Sequence, residues 1–160
     1  MKYLYIIIFA ILIGCADTNQ SILKTDDELS SNIKMLVEKY ENNDFEVSQY
    51  YADDVITRIN NTELTGFENL TAGFKAHHDM LYDNIKIKDF YVHTNYFANG
   101  EIWSNVWSTW TGTGKTTGKE YSNRTHFDYK WENGKIVVVQ GYFDESIEKM
   151  EIAAYTEAQN

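Results

Sequence analysis

Proline is absent from this 160-residue sequence, and cysteine occurs once, at Cys15. A single cysteine excludes an intramolecular disulfide, so the fold must hold together without a covalent cross-link. Basic residues are also scarce: 14 Lys and Arg stand against 24 Asp and Glu, and the formal net charge is −10. An acidic surface repels phosphate backbones and anionic lipid headgroups, which disfavours nucleic-acid binding and a membrane-surface role.

The sequence has one markedly apolar run near its start, at residues 3–13. This run is shorter than the roughly 18 apolar residues that a permanent membrane-spanning helix needs. It follows Lys2, and this order of charged, apolar and small residues is typical of an export signal. The segment Leu12-Ile13-Gly14-Cys15 also resembles the bacterial lipobox, in which the cysteine thiol takes a diacylglycerol and becomes the first residue. The alternative is an ordinary secretory signal that happens to contain a cysteine.

These features divide the chain into a signal peptide (1–14), a lipidated Cys15 with a polar tether (15–24), one domain (25–150) and a C-terminal tail (151–160). We therefore expect a protein anchored to a membrane only by lipid, in the cell envelope, with its domain in the periplasm or at the cell surface. The residue after the cysteine is Ala16. By resemblance to lipoprotein sorting, Ala16 favours the outer over the inner membrane.

Helical periodicity dominates the first half of the domain. After the capping sequence Thr25-Asp26-Asp27-Glu28, apolar residues recur at helical spacing, at Leu29, Ile33, Leu36, Val37 and Tyr40. This pattern predicts a helix over 26–42, and similar patterns predict helices over 45–51 and 67–81. A short strand is predicted at 53–59.

The second half alternates apolar and polar residues and predicts four strands, at 85–96, 101–111, 121–132 and 135–143. Asn133-Gly134 is a strong hairpin signal between the last two. Helices followed by an antiparallel meander indicate an α+β fold with helices packed on one face of the sheet.

Three segments resemble the nuclear-transport-factor-2-like superfamily, especially its SnoaL-like and ketosteroid-isomerase-like branches. They are Tyr51-Ala52-Asp53-Asp54-Val55, the helix start Phe67-Glu68-Asn69-Leu70 after Gly66, and the hairpin around Trp131–Ile136 with Tyr142-Phe143-Asp144. The resemblance covers residues 26–148. It implies three helices on a strongly curved antiparallel sheet, a cone with an apolar cavity, and homodimers formed through the sheet.

The resemblance does not extend to the general base of the isomerases. The position that holds a general-base aspartate in those relatives is Ile59, which cannot accept a proton. Asp144 is the acid of the last motif and is a predicted catalytic residue, although it equally fits a helix cap. His126 is the second predicted catalytic residue. Its strand places Thr125, Phe127, Tyr129 and Trp131 on the other face, so His126 reaches the cavity only if a bulge reverses the alternation.

Aromatic side chains supply the predicted ligand contacts, at Tyr50, Trp103, Trp107 and Phe143. The adjacent His77 and His78 point about 100° apart on a helix and do not suit one metal ion, so no metal and no cofactor are predicted. Three functions remain open: a binding module for a small apolar molecule, an acid–base enzyme of SnoaL-like type in which Tyr50 could assist, and a protein-interaction or homodimeric module.

Overall fold

The computed structural model describes residues 20–159, so Cys15 and the predicted signal peptide lie outside the described residues. The elements run in the order β1 (Ile22–Lys24), α1 (Glu28–Glu41), β2 (Tyr51–Ile59), β3 (Thr62–Thr65), α2 (Phe67–Ala76), β4 (Tyr82–Tyr96), β5 (Ile102–Gly114), β6 (Glu120–Glu132), β7 (Lys135–Tyr142) and α3 (Ser146–Ala158). Three helices pack on one seven-stranded sheet, which confirms the predicted α+β class. Within residues 20–159, no helix is long and apolar enough to cross a membrane.

The sheet has the strand order β1-β4-β5-β6-β7-β2-β3. Strands β4 to β7 form the antiparallel meander that the sequence predicts, and β2 joins β7 in the one parallel pairing of the described sheet. Asn133 and Gly134 connect β6 to β7 with φ angles of 51° and 77°. Positive φ at both residues is the requirement of the tight hairpin turn that this dipeptide favours.

Strand β4 carries two of the irregularities that bend the sheet. Its pairing with β5 shifts between Asp83 and Lys86 and again between Lys88 and Tyr91. At these two bulges Asn84 and Asp89 adopt φ angles of 54° and 49°. An inserted residue bends a strand and increases its twist, so β4 curls the sheet towards the helices and gives it a concave inner face.

Helix α1 covers this inner face. Asp27 caps it, because its carboxylate accepts a hydrogen bond from the Ser30 N–H at 3.0 Å. Ile33 and Leu36 of α1 are buried at the helical spacing that the sequence shows. They belong to a core shared with α2 and the inner sheet face, which includes Val55, Leu70, Val106, Trp131, Ile136 and Val139.

Four local features differ from the sequence-based expectation. Residues 45–51 form only a short 3₁₀ turn at Ser48–Tyr50, because the Val47 N–H donates to the Phe45 carbonyl at 2.9 Å, which makes a tighter turn than a helix allows. Strand β3 is fully exposed and lacks the apolar alternation that would reveal it. Strand β1 lies within the segment interpreted as a tether, and the short helical tail is the 13-residue helix α3.

Candidate functional site

A cavity of about 130 Å³ lies between the inner face of the sheet and the helices. Most of its walls are apolar or aromatic, from Leu36, Val37, Leu70, Phe74, Ile87, Val106, Trp110, Phe127, Phe143 and Ile147. Asp44, Asn123, Asp144 and Glu148 line it with polar side chains that are exposed or half-exposed, which marks the mouth. An engineered apolar cavity of about 150 Å³ stays dry and binds benzene. The cavity therefore suits a molecule of single-ring size.

One corner of the cavity is polar. The indole Nε1–H of Trp110 donates to the Tyr40 hydroxyl at 3.0 Å, and the same hydroxyl lies 3.0 Å from Nδ1 of His77. Since an indole can only donate, the arrangement that uses every proton has Tyr40 donating to Nδ1. The proton of a neutral His77 then resides on Nε2. This chain of bonds fixes the orientation of the imidazole.

The Nε2 atom of His77 faces Glu148 of α3, but the distance to Oε1 is 3.8 Å. That separation is too long for a direct hydrogen bond, so the Nε2–H is not hydrogen-bonded to Glu148. His77 begins a π-helical turn, His77–Leu81, that extends α2. Single π-helical turns are frequent at functional sites.

The pKa of Tyr40 indicates that its hydroxyl is neutral and can donate a hydrogen bond. Burial raises the pKa of Tyr40 well above its usual value, although the hydrogen bond from Trp110 acts in the opposite direction. At the mouth, the hydrogen bond from Lys39 holds the pKa of Asp44 below its usual range. The pKa of Asp144 is also lowered, chiefly by the Ser146 N–H, which donates to its carboxylate at 2.8 Å.

Two of the residues that the sequence singles out line the cavity, namely Phe143 and Asp144. Asp144 is exposed, and its bond to Ser146 at the start of α3 is the capping contact that the sequence also allowed. A catalytic role for Asp144 stays a prediction. Phe143, the residue after β7, lines the cavity, while Tyr142 at the end of the strand is exposed.

Tyr50, Trp103, Trp107 and His126 are not among the lining residues. In β5 the cavity is lined by Val106, Ser108 and Trp110, so Trp103 and Trp107 fall on the outer face by alternation. No bulge reverses β6 next to His126, whose Nε2 lies 2.8 Å from Asp128 on the outer face. Tyr50 packs at the margin of the core from the 3₁₀ turn.

Sequence reasoning missed Tyr40, His77, Trp110 and Glu148 as a group. A usable signal exists for His77, because Leu70, Phe74 and His77 are spaced as one helical stripe and must share the inner face of α2. Glu148 carries no such signal, since only tertiary packing brings α3 against the π-helical turn. Within residues 20–159, no group of three or more His, Cys, Asp or Glu side chains is placed to hold a metal ion.

Comparison with solved structures identifies the fold. A candidate polyketide cyclase from Xanthomonas campestris pv. campestris is 17% identical, with a TM-score of 0.61 over 79% of this chain and 95% of that chain. A nuclear-transport-factor-2-like protein from Anabaena variabilis is 15% identical, with a TM-score of 0.59 over 72% and 86%.

A ketosteroid-isomerase-like protein from Catenulispora acidiphila, solved in complex with trimethylamine, is 15% identical, with a TM-score of 0.55 over 71% of this chain and 85% of that chain. No protein-family model matches the sequence, and no curated protein matches it. At these identities the likeness establishes the fold, which is nuclear-transport-factor-2-like, as the sequence motifs predict.

Proposed function

We propose that the protein binds a small, largely apolar molecule of single-ring size in its cavity and does not convert it. The observation that carries this proposal is an apolar cavity of about 130 Å³ with one fixed polar corner at Tyr40 and His77. Apolar walls supply the free energy of binding, and a few oriented polar groups set the pose of the ligand. His77 lines the cavity, and in the tautomer with its proton on Nε2 the imidazole offers an N–H donor for a carbonyl or hydroxyl oxygen.

Binding without conversion is favoured by the residue at position 59. Ile59 stands where the resembling isomerases carry their general base, and it is not among the residues that line the cavity. The trimethylamine complex of the Catenulispora protein is consistent with a small ligand in this fold. The cavity and the apolar residue at position 59 therefore favour binding of a ligand over proton abstraction from it.

Calorimetric titration of the full chain with acetophenone tests the proposal, because this probe has one ring and one carbonyl. We expect saturable one-to-one binding that Val106→Phe abolishes, since the new ring fills the cavity. The matched control is Val138→Phe, the same change on a half-buried residue of β7 outside the lining, which should bind as the wild type does. Circular dichroism checks that both variants are folded. Equal binding by both folded variants would place the probe elsewhere and contradict the proposal.

A second candidate function is acid–base catalysis at His77. It is favoured by one observation, the imidazole held between Tyr40 and Glu148 inside an apolar cavity. A carboxylate beside an imidazole is suited to stabilise the imidazolium that forms when the ring takes a proton. The natural reaction class is proton removal from carbon next to a carbonyl, and it requires the other tautomer of His77, in which Nδ1–H donates to the Tyr40 oxygen and Nε2 takes the proton.

Deuterium uptake by acetophenone in D₂O, followed by NMR, separates the two functions. Binding without conversion predicts no uptake above the rate in buffer. The catalytic alternative predicts faster uptake that His77→Gln removes, while Asp79→Asn on the exposed side of the same turn has no effect. Acceleration that survives His77→Gln would exclude His77 as the base.

We further propose that the chain is exported and anchored by lipid on Cys15, in the cell envelope. The lipobox-like segment before Cys15 supports this proposal. Labelling with an alkyne analogue of palmitate in a bacterial host should mark the wild type and not Cys15→Ser. Restoring a thiol elsewhere, as Ser21→Cys in the Cys15→Ser background, should leave the chain unlabelled. Label on either variant would contradict the anchor.

A further inference from the structure

Glu148 is a carboxylate of the cavity that has no cationic partner. It lies in the first turn of α3 and lines the cavity, with its side chain 34% exposed. Among residues 20–159 it makes no hydrogen bond, and the one basic nitrogen close to it, Nε2 of His77, is 3.8 Å away. Lys149, the next residue, donates to Glu145 at 2.7 Å instead. A neutral His77 does not balance the charge of the carboxylate, which is therefore available to a positive group on a ligand.

The two other carboxylates that line the cavity are held by neighbouring groups. Asp44 forms an ion pair with Lys39, and Asp144 accepts a hydrogen bond from the Ser146 N–H at 2.8 Å. No Lys or Arg is among the described residues that line the cavity. The cavity therefore carries an excess of negative charge, and Glu148 is the carboxylate whose charge is least compensated.

Four aromatic rings meet at the corner of the cavity that Glu148 borders. They belong to Tyr40, His77, Tyr82 and Trp110, which all line the cavity. The His77 ring centroid is 6.2 Å from that of Tyr40 and 5.9 Å from that of Tyr82. The Tyr82 and Trp110 centroids are 4.8 Å apart. Burial, and then the charge of Glu148, raise the pKa of Tyr82 above its usual value, and the same charge adds to burial in raising the pKa of Tyr40. The carboxylate thus acts on both phenols of this corner.

We propose that the ligand of the cavity is a small protonated amine with one ring, whose ammonium group pairs with Glu148. The inference rests on the proposed binding function and adds a charge to the ligand of that same cavity. An ammonium group only donates hydrogen bonds and a carboxylate only accepts them, so the two groups match. The electron-rich faces of tyrosine and tryptophan rings attract the same positive charge. The apolar walls hold the ring of the ligand.

His77 is compatible with an amine as well as with a carbonyl compound. A carbonyl oxygen needs the tautomer with the proton on Nε2, in which Tyr40 donates to Nδ1. An ammonium group needs the other tautomer, in which Nδ1–H donates to the Tyr40 oxygen and Nε2 is an acceptor. The preference between the two kinds of ligand therefore comes from Glu148, whose charge favours the amine.

A metal ion fits this corner less well than an organic cation does. Metal ions such as calcium take several oxygen ligands from a protein. Among residues 20–159, no group of three or more His, Cys, Asp or Glu side chains is placed to supply such a set. An organic ammonium ion needs fewer polar partners, because apolar walls bind the rest of the molecule. The volume of about 130 Å³ limits that molecule to single-ring size.

Calorimetric titration of the full chain with 1-phenylethylamine and 1-phenylethanol tests the inference. The two probes share the carbon skeleton of acetophenone and differ in one group, an ammonium at pH 7 against a hydroxyl. We expect the amine to bind roughly tenfold more tightly, as a hydrogen bond between charged groups allows. Glu148→Gln should bring the ratio of the two affinities close to one. Glu157→Gln, the same loss of charge at an exposed position of α3, should leave the ratio at its wild-type value.

Equal affinity for the alcohol and the amine would overturn the inference. A preference for the amine that survives Glu148→Gln, or amine binding that survives Val106→Phe, would overturn it too. Each of these results leaves the proposed function intact if acetophenone binds in the cavity. Absence of binding by all three probes would overturn the inference and the proposed function together. Circular dichroism checks that each variant is folded.

Discussion

Gly114 shows how one residue at the end of a strand controls the position of a helix. A Cβ atom at Gly114 would lie 2.1 Å from Oε1 of Glu151, a fully buried residue of α3. The same oxygen accepts hydrogen bonds from Thr117 and from Tyr121, so the carboxylate cannot move aside without losing them. The backbone of β5 and helix α3 approach this closely only because residue 114 has no side chain.

Gly114→Ala is accordingly expected to lower the free energy of unfolding by about 1–3 kcal/mol, the usual cost of overpacking. Gly73→Ala is the matched control, because Gly73 lies in α2 and an added Cβ would meet no atom of residues 20–159 within 4 Å apart from the adjoining helix backbone. Alanine there should stabilise by about 0.5–1 kcal/mol through higher helix propensity. Urea unfolding measures the free energy of unfolding of both variants. Equal effects of the two changes would refute the close approach of β5 to α3 at Gly114.

His78 makes the fold sensitive to mild acid. Burial, and then the neighbouring His77, lower the pKa of His78 below the ordinary 6.5, and its Nε2 is buried with no hydrogen-bond partner among residues 20–159. Below about pH 6.5 the unfolded chain takes up this proton more readily than the folded chain, so the His78 contribution to stability falls as the pH falls. Between pH 7 and pH 5, His78→Phe should reduce the loss of unfolding free energy measured in urea. An unchanged pH dependence would contradict the lowered pKa.

At the scale of elements, a chain of buried hydroxyl groups connects helix to sheet. Trp131 of β6 donates to Ser104 of β5 at 2.8 Å, and Ser104 lies 2.8 Å from the Thr94 hydroxyl of β4. Thr94 in turn lies 2.9 Å from Ser30 of α1, whose hydroxyl donates to the Lys24 carbonyl of β1. Because the Lys24 carbonyl can only accept, the single hydroxyl proton of Ser30 goes to it, so Thr94 donates to Ser30 and Ser104 donates to Thr94. The chain fixes α1 on the sheet and ties β1 to both.

Removing one hydroxyl from this chain leaves its buried neighbours without partners. Ser104→Ala should therefore lower the free energy of unfolding by about 1–3 kcal/mol. Ser122→Ala, the same change at an exposed position of β6, should change it by less than about 0.5 kcal/mol. Urea unfolding of both variants compares them, and a neutral Ser104→Ala would mean that water replaces the lost hydroxyl.

Elements with a strong local pattern could be predicted from the sequence, and elements without one could not. Helix α1 and the β6–β7 hairpin follow from a capping aspartate, apolar spacing and Asn133-Gly134. Strand β1 and strand β3 are exposed along their whole length, so no alternation distinguishes them. They form because the curled sheet offers free edges at β4 and β2.

At the scale of the whole molecule, the fold and its cavity could be predicted from sequence motifs, but most of the polar corner could not. The motifs around Tyr51 and Gly134 indicate the cone-shaped fold, and alternation in β6 indicates which side chains face its interior. The contact between His77 and Glu148 joins residues far apart in sequence through the packing of α3.

The most direct test of the central claim is a crystal structure of the protein with acetophenone. We predict the ring in the cavity against Phe74, Val106 and Trp110, with the carbonyl oxygen within hydrogen-bond distance of Nε2 of His77. Density for the probe on the outer face alone, or a cavity closed by protein side chains, would contradict the account.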